Sequence, residues 1–299
     1  MNRSDARFHP FRIRSRPGGR LPLILLILMI LNGCALKHGD RGPALNYFEY
    51  NRGKSFATRA DLQLDWNGNS LLFHQVRFED DSFFPDNFII PNAFLRPLVQ
   101  LRFADALKAF TEPYYGYRFV RFLRRNPHIG LGIEFTHHKI FLNQADQQVI
   151  VSGFFQGRPV NALLPVNRFV EYLSISHGVN HLNLVFTYRW LLAPTAGVPE
   201  GRWQPYVSVG AGPAFPHLEL KLPGDGPNWT EYAFKSGPGN FNFSAGTGVR
   251  YQFSPHFGAY LEYKFSYSHL YDLDFFDGAG NLEMAFPTHH LMWGISLIF

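Results

Sequence analysis

The 299-residue chain holds one cysteine, few charges and no apolar run long enough for a membrane helix. Each shortage excludes something. A lone Cys34 rules out a disulfide-stapled scaffold. Charged residues make up 17% of the chain, against roughly 25% in soluble domains, so much of the surface is expected to meet something other than water. The run from Leu21 to Leu31 falls short of the ~20 apolar residues that a spanning helix needs. A basic surface is also lacking once the N-terminus is set aside. Of the 28 basic and 23 acidic residues, six arginines (Arg3, Arg7, Arg12, Arg14, Arg16, Arg20) and Asp5 lie within residues 1–33, and the rest balance at 22 of each. That balance argues against nucleic acid as a partner.

What is abundant is aromatic. The chain carries 31 Phe, 14 Tyr and 5 Trp, a fraction equal to that of the charges. Its N-terminal arginines precede the Leu21–Leu31 run and a small-residue break at Asn32-Gly33-Cys34, the pattern of an export signal. Leu31-Asn32-Gly33-Cys34 resembles a bacterial lipobox, which makes residues 1–33 a lipoprotein-type signal and Cys34 the lipid anchor. The alternative is an ordinary signal peptide with Cys34 a passenger. Ala35 after the cysteine favours the outer membrane. Residues 34–67 show no strong period and read as a tether. Residues 68–110 read as a first strand, around Leu95–Ala104, plus an outer loop.

From residue 111 the chain counts in twos. Phe241, Phe243, Ala245, Thr247, Val249, Tyr251 and Phe253 alternate with polar or small residues, as do Phe257, Ala259, Leu261, Tyr263, Phe265 and Tyr267. Leu291, Trp293, Ile295, Leu297 and Phe299 share one face at the end. Similar alternation fits 113–123, 128–141, 180–192 and 203–220. Period two denotes strands with one apolar and one polar face. These segments exceed the usual strand of about five or six residues and match the ~10-residue crossings of membrane barrels. The polar face carries Arg118, Glu134, Arg189, Arg250, Glu262 and Lys264, charges of both signs that a narrow lumen would pair. Short connections (124–127, 193–202, 254–256) alternate with long ones (142–176, 221–239, 271–288). With one strand before residue 111, the fold predicted is all-β: an eight-stranded antiparallel transmembrane β-barrel of outer-membrane type over 111–299. Short periplasmic turns and long outer loops put the C-terminus in the periplasm.

Eight of the 13 histidines fall at the outer strand ends: His137, His138, His177, His181, His217, His269, His289 and His290. Parity turns His138, His177, His181 and His290 inward, and His137, His269 and His289 outward; Pro213 and Pro216 leave the phase of His217 open. Imidazoles from several strands, with Glu219 near His217, suit metal binding or acid–base chemistry. They equally suit a lipid headgroup region, where imidazole meets phosphate and water. Gly130-Leu-Gly132, Gly210-Ala-Gly212 and Gly246-Thr-Gly248 lie in strands with no helix behind them, so they are not phosphate loops. Ser174 and Ser176 near His177 have no hydrolase spacing.

Glu112-Pro-Tyr-Tyr-Gly-Tyr-Arg118, Gly130 to Lys139, His177-Gly-Val-Asn180 with Tyr188-Arg189, Gln204 to Glu219, Glu262-Tyr-Lys-Phe265 and Thr288-His-His-Leu291 together resemble the lipid A oxidase family of small bacterial outer-membrane barrels. The resemblance covers about two thirds of the chain, in order and spacing. It implies oxidation of the proximal glucosamine of lipid A to aminogluconate, with molecular oxygen as co-substrate and hydrogen peroxide as product. Carried over, the catalytic positions are Glu134, His137, His217, Glu219, Lys264 and His290. Of these, His137, His217, Glu219 and His290 would hold a divalent redox metal. Outer-membrane lipid, the export machinery and the barrel-assembly machinery are the implied partners of a monomer. Two other readings stand beside it. One is a non-enzymatic structural or ligand-binding barrel; the other is a lipid A deacylase, which needs a Ser–His pair on the lipid-facing wall and for which Ser268/His269 is too weak a basis.

Overall fold

The computed structural model describes residues 46–80, 114–142, 147–223, 230–231, 239–275 and 279–299. The signal at 1–33, Cys34 and the candidate strand at Leu95–Ala104 lie outside the described residues. Fourteen strands are seen among those described: β1 (Asn46–Ala57), β2 (Arg59–Trp66), β3 (Asn69–Glu79), β4 (Tyr115–Leu123), β5 (Asn126–Leu142), β6 (Gln148–Phe155), β7 (Arg158–Pro165), β8 (Tyr172–Arg189), β9 (Trp203–Pro216), β10 (Glu219–Lys221), β11 (Thr230–Glu231), β12 (Phe241–Ser254), β13 (Phe257–Phe275) and β14 (Gly280–Ile298).

Eight of them close a barrel in the order β1–β4–β5–β8–β9–β12–β13–β14 and back to β1, antiparallel throughout. Asn46 and Phe299 exchange two backbone hydrogen bonds of 3.0 Å at the seam. All seven period-two segments are barrel strands. The eighth is not where the sequence reading put it. It is β1, inside the stretch read as a tether, and β2 lies there too. The reason is local. Phe48, Tyr50 and Phe56 share the outer face of β1 with Arg52 and Lys54, whose charges break the apolar alternation. Arg52 is nevertheless buried, and the Lys54 ammonium sits 5.8 Å from the Phe56 ring centre.

Both faces of the wall change polarity at one level. On β14 the inward residues Ser296, His290 and Thr288 are polar, but Phe286, Met284 and Leu282 beyond them are apolar and fully buried. The outward residues reverse in the same place, from Leu297, Ile295 and Leu291, all more than a third exposed, to Glu283 and Asn281. On β5 the inward switch comes between His138 and Ile140, across a bulge. Below this level the protein is apolar outside and mainly polar inside, with Met292, Val120, Phe122 and Ile298 as inward apolar exceptions, an arrangement suited to hydrocarbon around the wall. Above it, the arrangement is that of a water-soluble protein. From Thr288 to Ile298 the lower zone spans 11 residues of β14, enough for a tilted crossing of about 9–11 residues.

The upper zone is built by partner exchange. β14 leaves β1 and pairs with β2, β2 pairs with β3, and β3 touches β5 through Phe78 and Glu79. The hairpin β6–β7 extends this sheet from β3, and β10–β11 extend it from β8. Their inner faces form one apolar core that includes Leu62, Leu64, Phe73, Ile140, Leu173, Leu270, Phe275, Leu282 and Phe286. This core closes the long-loop end of the lumen.

Candidate functional site

Glu134 and Lys264 lie in the lower lumen, within an ion network that crosses the barrel. Arg118 donates Nε–H to Glu134 Oε2 at 2.5 Å and a two-pronged fork to Glu262 at 2.7 Å per bond, and reaches Glu49 at 3.3 Å. Lys264 Nζ donates to Glu134 Oε1 at 2.6 Å and to Thr136 Oγ1 at 2.9 Å. Arg250 pairs with Glu49, and Tyr206 donates to Glu262 at 2.6 Å. Three carboxylates (Glu49, Glu134, Glu262) thus face three cations (Arg118, Arg250, Lys264), all at most 3% exposed. A single unpaired charge buried this way costs several kcal/mol, about 3–5 on removal of a partner, so mutual neutralisation is what lets the layer exist. Gly246 makes room for it: a Cβ there would lie 3.1 Å from Glu262 Oε1. Below the network, Arg189 lies 3.5 Å from the Phe122 ring centre and hydrogen-bonds Tyr47, filling the short-turn end.

His290 belongs to a second layer, at the level of the polarity switch. Its ring centre is 5.1 Å from that of His138, which is 5.1 Å from that of His181, with Tyr114 5.6 Å from His290. Ser266 Oγ bonds His290 Nε2 at 2.7 Å and Ser268 Oγ bonds His181 Nε2 at 3.0 Å. Inward parity therefore holds for His138, His181 and His290. The side chain of His177 lies outside the described residues.

His137, His217 and Glu219 are on the opposite side of the wall. His137 follows the outward phase of Phe135, stacks on Tyr115 at 4.7 Å between ring centres, and bonds Asn180 Oδ1 through Nδ1 at 2.8 Å. Asn180 Nδ2 donates to the Gly178 and Phe215 carbonyls at 3.2 and 3.1 Å. Those two bonds set the amide's orientation, so Oδ1 must accept from His137 Nδ1–H. The ring is then the tautomer whose Nε2 bears the lone pair. Gly178 is required here twice over. Its φ is +102°, a conformation that side chains resist, and a Cβ would meet the His137 ring. His217 lies between Pro216 and Leu218, and Leu218 enters the apolar core, so the imidazole takes the outward phase. Glu219 on β10 accepts from Ser174 Oγ at 2.8 Å and from Tyr172 at 3.4 Å. His269 and His289 also face outward, stacked on Phe241 and bonded to Tyr263 at 2.6 Å respectively.

The six predicted residues therefore occupy three environments. The four proposed as metal ligands do not fit one metal: His290 is separated by the wall from His137, His217 and Glu219, and His137 Nδ1 is committed to Asn180. Among the described residues no group of three His, Cys, Asp or Glu side chains is placed to hold a metal ion. Sequence reasoning missed Glu49, which sits in the supposed tether, and the parts played by Asn180 and Gly178. The tetrapeptide His177-Gly-Val-Asn180 was a usable signal for the last two, since glycine two residues before an amide in a strand marks a bend with a backbone to satisfy.

No family model matches this chain, and no curated protein matches it. Solved structures similar to it include neisserial surface protein A (9% identity, 85% of this chain and 97% of that one, TM-score 0.35). Others are the outer membrane protein OprG from Pseudomonas aeruginosa (11% identity, 86% and 97%, TM-score 0.37) and the outer membrane protease OmpT from Escherichia coli (9% identity, 88% and 99%, TM-score 0.37).

Proposed function

We propose that the protein is an outer-membrane barrel, long-loop end outward and C-terminus periplasmic, whose rim works on lipid A by oxidising the proximal glucosamine to aminogluconate. The observation that carries this reading is the His137–Asn180 pair. It sits on the outward face at the level where the wall changes polarity, which is the depth of a sugar headgroup. In the reaction the glucosamine C1 hemiacetal loses two electrons and two protons to oxygen, giving a lactone and hydrogen peroxide; water then opens the lactone to the acid. His137 and Asn180 are each 7% exposed and His137 Nε2 is itself buried, so the pair is assigned a positioning part beneath the sugar and no proton transfer. Because the four-residue metal set does not fit, no step is assigned to a metal.

A second reading is a non-enzymatic barrel. It is favoured by the number of polar groups whose contacts are structural, above all the neutral lumen network and the histidines held by Ser266, Ser268 and Tyr263. Mass spectrometry of lipid A from cells with and without the gene separates the two. The oxidase reading expects an aminogluconate form, 16 Da heavier by about one oxygen atom, to disappear with the gene. Identical lipid A in both strains leaves the non-enzymatic barrel.

A further inference from the structure

On the outer wall, β5, β8, β9 and β12 form a shallow, open apolar groove of about 690 Å³ lined by Leu131, Leu184, Phe186, Val209, Ala211 and Phe243. The register explains the dip. Leu184, Ala211 and Phe243 stand in one outward row, and Phe186, Val209 and Ala245 in the next, so the small side chains of Ala211 and Ala245 fall between large ones. The rims are the most open part of the wall, with Leu184 73% exposed and Val209, Leu131 and Phe243 each at 55–56%. The groove also has a direction. Four residues above Leu184 on β8 is Asn180, and four above Ala211 on β9 is Phe215, whose carbonyl Asn180 bonds. At about 3.3 Å per residue the floor of the groove lies ~13 Å below the His137–Asn180 pair.

We infer that this groove seats one acyl chain of the glycolipid whose headgroup lies at the His137–Asn180 pair. The inference rests on the lipid A reading above for the identity of the lipid. Its independent support is the groove itself: it is apolar along its lining, it opens on the face that meets hydrocarbon, and it lies on the same strands as the outward polar cluster, with the Leu182 row between them. A sugar at the level of His137 with a chain directed inward along β8 and β9 occupies both at once. Ordinary annular lipid would show no preference for this part of the wall.

The test uses the full-length protein in vesicles of phosphatidylethanolamine containing lipid A with a diazirine on one acyl chain. After photolysis, labelled peptides are mapped by mass spectrometry. Label is expected to concentrate on 182–186, 207–211 and 241–245 over the opposite wall at 291–297. It is expected to fall to the level of that wall in Ala211→Trp, which fills the groove, and in Leu184→Ala, which removes its side. Two variants are used so that poor insertion of one, seen by gel migration, leaves the other to decide. Even labelling around the barrel, unchanged labelling in both variants, equal labelling by a diazirine phospholipid, or cross-links joining two copies through this face would each overturn the inference. The readout is binding. Groove labelling with unaltered cellular lipid A would therefore fail the oxidase reading alone, and altered lipid A with even labelling would fail the groove alone.

Discussion

Arg118 and Glu262, 144 residues apart in sequence, meet in a fully buried fork across the lumen, with Nη1 to Oε2 and Nη2 to Oε1 both at 2.7 Å. The fork is the centre of the lumen network, because Arg118 also reaches Glu134 and Glu49. Glu262→Ala removes its two-pronged partner and leaves a buried guanidinium short of charge. A loss of about 3 kcal/mol is expected, the lower end of the range for breaking a buried pair, since two carboxylates remain. Denaturant unfolding in lipid vesicles, followed by gel migration of the folded barrel, measures it. A loss under about 1 kcal/mol, the scale of an exposed pair, would mean that the lumen is wetter than its burial indicates.

The lumen is filled at three levels, by Tyr47 and Phe122 with Arg189, by the ion network, and by the apolar core above the histidines. Reconstituted protein in planar bilayers is therefore expected to show no conductance steps. Arg118→Ala with Lys264→Ala opens only the middle level, so that variant should stay silent too. Steady single-channel currents from the wild type would contradict the packed lumen.

The wall can be tested for its two faces. Leu261 is 51% exposed on the outer side, and Leu261→Arg should cost about 2–4 kcal/mol if near the midplane. Ser266 points inward and bonds His290, so Ser266→Arg should act by crowding the histidine layer. Insertion of Leu261→Arg equal to wild type would reverse the facing assignment.

The His137 cradle makes a sharper prediction. Gly178→Ala forces a side chain into a positive-φ position against the ring, and about 1–3 kcal/mol of strain is expected. Asn180→Leu should leave the barrel inserted but release the ring tautomer, read by nitrogen-15 NMR of labelled histidine, and should abolish any aminogluconate lipid A. A mixed tautomer in the wild type would remove the argument for Asn180 as a positioning residue.

If Cys34 is the mature, acylated N-terminus, palmitate labelling of cells should vanish in Cys34→Ser. Labelling that survives the substitution would end the lipoprotein reading and leave the barrel unaffected.

Seven barrel strands were legible because side chains alternate on a strand with period two, and a wall between hydrocarbon and a polar lumen writes that period directly into residues 240–253 or 257–268. β1 was illegible because Arg52 and Lys54 lie on its outer face, and no local pattern shows that neighbouring strands bury or cover them. The inward set of charges was also readable by parity. Its pairing was not, since Arg118 chooses among Glu49, Glu134 and Glu262 only once four strands from distant parts of the chain are adjacent.

The histidines divide the two kinds of information most clearly. Sequence alone determined that they gather at one end of the strands and that His137 and His138, as neighbours on a strand, must face opposite ways. Only the tertiary structure decided that this end is a plane where both faces of the wall change polarity, with His138, His181 and His290 inside it and His137, His269 and His289 outside. A strand's faces follow from its own covalent geometry, but what each face meets depends on closing the sheet and on the apolar core that β2, β3 and the long-loop ends of β13 and β14 build above it.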